Sequence, residues 1–130
     1  MDNKLFAVIA GRPATKKNSG RIVKFGKRMA LLPSKAFETY QEVALWQLKK
    51  HKERFEVNVH VQCKYYLPNK AHWPDLVGLL QATSDILEKS GILENDRLIV
   101  SYDGSRIMEI DKDNPRVEIF IENWESENNE

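Results

Sequence analysis

Apolar and polar positions alternate most plainly between Val57 and Leu67, where Val57, Val59, Val61, Cys63, Tyr65 and Leu67 are interleaved with Asn58, His60, Gln62, Lys64 and Tyr66. A period of two over that length marks a long strand with one buried face. Val117, Ile119 and Ile121 repeat the pattern within Arg116 to Ile121, and Leu5 to Ile9 and Leu98 to Tyr102 read as two further strands. Arg21 to Phe25 and Arg28 to Leu32 flank Gly26-Lys27, and glycine at the first central position of a two-residue loop suits a type II′ hairpin. Two segments change to the helical period. Ser34 can cap a helix in which Phe37, Tyr40, Ala44 and Leu48 recur on one face, with lysines near Lys49 at its C-terminal end. Pro74 and Asp75 open a second helix whose Leu76, Leu79, Leu80, Thr83 and Leu87 share a face, and Gly91 stands at its C-terminal cap. These elements predict an α+β domain, a mixed and largely antiparallel sheet with two main helices.

A chain of 130 residues is long enough to bury a core as one domain without disulfides or structural zinc. We expect that domain over residues 1–122, followed by an acidic polar tail at 123–130. Cys63 is the one cysteine, which excludes an internal disulfide and any multi-cysteine zinc site and fits a reducing cytoplasm. Its inward register makes it a small core residue. The run LFAVIA is too short to cross a bilayer and lacks a signal-peptide cleavage pattern, so no membrane role is expected.

The formal charge of +1 hides a strong asymmetry. Arg12, Lys16, Lys17, Arg21, Lys24, Lys27 and Arg28 occur between Gly11 and Pro33 with no acid among them, whereas Glu122, Glu125, Glu127 and Glu130 crowd the far end. A basic segment of this density is either a solvated surface or a phosphate-binding one, since lysine and arginine gain affinity for nucleic acid by releasing counterions. Lys16 and Lys17 stand out there as contacts that position a backbone without reading bases.

Asp75, Asp85 and Asp96 bracket the second helix and the loop after it. Carboxylates held by one such unit can bind a hard divalent cation, which activates water and stabilises charge on a phosphodiester. Each also has a plainer reading. Asp75 can be a helix cap, Asp85 a solvated residue on the polar face, and Asp96 a turn former. His51, His60 and His72 show no ligand spacing. Trp46 lies opposite the apolar face of the first helix, where it either meets a second subunit or folds over neighbouring stems. Trp73, just before Pro74, is placed to meet an unstacked base.

Taken in order, Gly11, Pro13, Lys16, Lys17 and Asn18, then Pro74-Asp75-Leu76, Leu79, Asp85 and Leu87, then Gly91-Ile92, Asn95 and Asp96 resemble the RusA-type Holliday-junction resolvases. That resemblance implies a RusA-like, homodimeric endonuclease that cuts four-way DNA junctions during recombination and repair. It implies magnesium, with manganese as the alternative ion, held by Asp75 and Asp96 with Asp85 assisting, and phosphates held by Arg12 and the lysines that follow. A cytoplasmic protein of bacterial or prophage origin is the matching expectation. The chain also departs from the family pattern, which has a second aspartate and then asparagine after the first Asp-Leu pair, and commonly a lysine further on. Val77, Gly78 and Gln81 stand there instead. Glu94, Asn95 and Asp103 are nearby oxygen donors that could make up the loss. Two other readings stay open, a junction-binding protein with weakened or lost cutting and a small protein-interaction module.

Overall fold

The computed structural model describes residues 3–16, 21–32 and 34–124. Among them the chain runs through β1 (Lys4–Ala10), β2 (Arg21–Phe25), β3 (Arg28–Leu32), α1 (Lys35–Leu48), β4 (Val59–Leu67), α2 (Leu76–Ser90), β5 (Ile99–Ser101), β6 (Arg106–Ile110) and β7 (Arg116–Asn123). A short 3-10 turn, Asp96–Leu98, leads into β5. In the main sheet β7 lies between β1 and β4 and is antiparallel to both. The other edge of β4 carries β5 beside its first residues and β6 beside its last, both parallel to it. The sheet is therefore mixed and mostly antiparallel, and with two helices the domain is α+β.

Register explains where the core sits. Leu5, Ile121 and Val61 lie in one row across the sheet, Ala7, Ile119 and Cys63 in the next, and Ile9, Val117 and Tyr65 in the third. All are buried. Ala44 and Leu48 of α1 and Leu79, Ile86 and Leu87 of α2 cover this face, so the period-two strands and the period-3.6 helices close one apolar layer. A buried hydroxyl pair ties the layer together, because Tyr65 Oη lies 2.7 Å from Thr83 Oγ1, which itself donates to the Leu79 carbonyl. Among the described residues no element covers the opposite face of the sheet, which carries Phe6, 59% exposed, among polar neighbours.

Local chemistry sets the ends of the helices. Ser34 caps α1 by accepting from Phe37 N at 3.1 Å. Gly91 closes α2 with φ +86°, a left-handed conformation that a side chain disfavours. The nearest atom to an added Cβ is 3.8 Å away, so the cost of Gly91→Ala is conformational. That substitution is expected to lower unfolding stability by about 1 kcal/mol in a denaturant titration.

Some expectations need correcting. Val57 is exposed and precedes β4, because pairing with β7 begins at Val59. The strand expected over Leu98 to Tyr102 is only Ile99–Ser101, since the 3-10 turn takes up Leu98. β6 had no counterpart in the sequence reading. β7 itself runs to Asn123, and Trp124 N donates to Asn58 O at 2.8 Å. Among the described residues no helix is long and apolar enough to cross a membrane.

Candidate functional site

α2 organises the acidic residues. Pro74 and an extended Asp75 (φ −84°, ψ 145°) deliver the chain to the helix, and Asp75 Oδ2 accepts from Gly78 N at 3.0 Å. The carboxylate thus satisfies an otherwise unpaired first-turn donor and lies at the positive end of the helix dipole. Gly78 makes this position available. A Cβ there would lie 2.8 Å from Asp75 Oδ1 and 3.2 Å from Thr15 Cγ2, so the absence of a side chain lets the carboxylate fold back over the turn. Val77 beside it is 68% exposed, and no carboxylate replaces the family's second acid at that position.

Asp85 lies further along the helix and is one-quarter exposed. Its Oδ2 is shut off from solvent and meets two ammonium groups, Lys16 Nζ at 2.9 Å and Lys89 Nζ at 3.2 Å. Partial burial opposes ionisation, but the contacts from Lys16 and then Lys89 outweigh it and hold the carboxyl below the ordinary carboxylate value. Asp96 stands at the start of the 3-10 turn, where Asn95 Oδ1 caps Arg97 N and Asp96 N donates to Glu88 Oε1 at 2.8 Å. Its loop is therefore pinned to the C-terminal half of α2.

The three aspartates do not gather about one point. The path along α2 from Asp75 to Glu88, against which Asp96 is pinned, is roughly 20 Å at about 1.5 Å per residue. Two carboxylates sharing a magnesium ion need their oxygens within about 5 Å. Among the described residues no group of three or more His, Cys, Asp or Glu side chains stands where it could hold a metal ion. The donor set of one protomer therefore does not fit the magnesium site that Asp75, Asp85 and Asp96 were expected to build. Asp75 is engaged as a cap and Asp85 by two cations, and the length of the helix separates the rest. Of the other oxygen donors considered, Asn95 is used as a cap. Asp103 borders a different cavity of about 410 Å³, with His60, Ser101 and Glu122 on the uncovered side of the sheet.

The basic segment folds back onto the same helix. Pro13 and Thr15 are buried, and the Arg12 guanidinium donates to the Ala71 carbonyl. Lys16 Nζ also lies 5.8 Å from the Phe37 ring centroid. A cavity of about 270 Å³ between this loop and the starts of both helices is bordered by Arg12, Ser34, Ala36, His72 and Pro74. Lys24, Lys27 and Arg28 are exposed on the β2–β3 hairpin, whose Gly26 has φ +60° as a type II′ turn requires. Lys17 lies outside the described residues, as does the Arg21 side chain.

Two contributors escaped the sequence reading. Lys89 stands four residues after Asp85, a spacing that does signal a helical ion pair. Glu88 holds the Asp96 turn across a loop, and no local pattern announces that. Cys63 is fully buried and its thiol is pushed up to about 12, by loss of solvation above all, so it is a core residue with no path to a reactive thiolate. Trp46, 72% exposed, and Trp73, 47% exposed, lie on the surface.

An α+β layer carries a cationic loop whose Lys16 is held against the acid-bearing helix α2. Residues 10–122 match the family described as Endodeoxyribonuclease RusA, and the chain belongs to that family. The family comprises endonucleases that resolve Holliday junctions, the four-way branch points of DNA. No curated protein matches the chain.

Proposed function

We propose that this chain is a homodimeric endodeoxyribonuclease of branched DNA in which recognition of the four-way junction is intact and phosphodiester hydrolysis is weakened. Membership of the family over residues 10–122 is the observation that carries the substrate. The exposed cations Arg12, Lys24, Lys27 and Arg28 supply the contacts that junction recognition needs first, because phosphate neutralisation provides most of the affinity and orients the protein on the duplex arms. A two-fold dimer would present equivalent surfaces to the paired arms of the junction.

The weakening rests on Val77 and Gln81, where the family pattern has an acid and commonly a lysine, and on the spread of Asp75, Asp85 and Asp96 over α2 and the turn after it. Asp75 at the helix mouth and Asp96 on its pinned turn are the acids left to face a phosphodiester. Asp85, already neutralised by Lys16 and Lys89, takes no part in hydrolysis. Incubating a labelled four-way junction with the protein in magnesium, and separately in manganese, tests this reading. Slow, symmetrically placed cuts that Asp96→Asn abolishes without loss of binding support it. A junction left unbound at moderate salt contradicts it, and one bound tightly but never cut, whatever the ion, reduces the protein to a binder.

A further inference from the structure

Lys16 belongs to the basic segment by sequence, yet its ammonium group points toward the protein. It lies between Asp85 of α2 at 2.9 Å and the ring of Phe37 of α1, and Lys89 meets the same carboxylate oxygen at 3.2 Å. One residue earlier, Thr15 is buried with its methyl group against Gly78. Three residues before that, Arg12 reaches the Ala71 carbonyl. Residues 12–16 are thus held at two points, by Arg12 to the segment ahead of α2 and by Lys16 to the helix itself.

We infer that Lys16 and Asp85 form a positioning pair that seats the basic loop across α1 and α2, so that Lys16 serves as an anchor and the phosphate contacts fall to Arg12 and the hairpin. For Lys16 to bind a phosphate, DNA would have to take it from Asp85 and leave that carboxylate to Lys89 alone. An exposed lysine free of such a partner loses nothing on meeting a phosphate, so Lys24, Lys27 and Arg28 make the contact at lower cost. The pair is a device of the fold for holding a loop in one place, which a site that recognises backbone geometry requires.

This inference rests on the junction-binding reading, and two measurements on the full chain keep their failures apart. Hydrogen exchange of the Ala14, Thr15 and Lys16 amides without DNA reports the anchor alone. Lys16→Gln, Asp85→Asn and the double variant are each expected to speed that exchange by the same factor, roughly threefold, as for a partly exposed ion pair. The second readout is the slope of log affinity against log salt for a four-way junction. As an anchor, Lys16 leaves this slope unchanged on substitution by glutamine. A slope shallower by about 0.9 would make it a phosphate contact and overturn the inference, as would exchange that is indifferent to all three variants. Failure of the wild-type chain to bind any junction would count against the proposed function, while the exchange data would still decide the pair.

Discussion

Replacing Val77 by aspartate and Gly78 by asparagine is expected to raise the rate of junction cleavage in magnesium by about 100-fold, and to make the melting temperature sensitive to divalent ions. The reasoning is geometric. Val77 is largely exposed, so Val77→Asp removes little packing. At residue 78 any Cβ would come within 2.8 Å of Asp75 Oδ1 and 3.2 Å of Thr15 Cγ2, so Gly78→Asn drives the Asp75 carboxylate off the helix cap and outward. The lost cap costs about 1 kcal/mol, partly offset because glycine is the weaker helix former. Two carboxylates then face solvent at the mouth of α2, the arrangement a hard cation prefers. Single-turnover cleavage and ion-dependent melting measure the outcome independently. No response to ions in either would show that the helix mouth is not where this chain was weakened.

The second large effect concerns binding. Lys24→Gln, Lys27→Gln and Arg28→Gln together are expected to weaken junction binding on the order of 100-fold near physiological salt, with the salt slope falling by up to about 2.7, at about 0.9 per contact. All three residues are exposed on the hairpin, so the melting temperature should stay close to that of the unaltered chain. Fluorescence anisotropy with a labelled junction between 50 and 200 mM salt gives both quantities. An unchanged slope would make the hairpin a solvated surface and move the DNA to another face.

Much of this architecture was legible because burial leaves a period in the sequence. The alternation along β4 and β7 gave their inward faces, and Ser34, Asp75 and Gly91 announced the helix ends through capping chemistry that acts within a few residues. β6 was silent. It borders the parallel edge of β4 and only Ile107 of its five residues is even partly buried, so RIMEI shows no inside and outside. Val57 was over-read for the opposite reason, since alternation continued past the point where a partner strand exists.

The candidate site was legible in its parts and illegible in its arrangement. Asp75, Asp85 and Asp96 are close in sequence, but the fifteen residues of α2 separate the first from the turn that carries the last. The partner that settles Asp85 is Lys16, from the opposite end of the chain, and only tertiary structure could reveal it. The capping reading of Asp75 was available from the start, and Gly78 is the structural reason it holds.

Preference for a branch point is the property most directly open to measurement. A labelled four-way junction, bound by the wild-type protein at 150 mM salt without divalent ions, is challenged with a tenfold excess of unlabelled linear duplex carrying the same arm sequences. The junction is expected to stay bound while the duplex competes weakly. Displacement in simple proportion to the duplex added would mean that only phosphate charge is sensed, and the account of a junction-directed protein would be wrong.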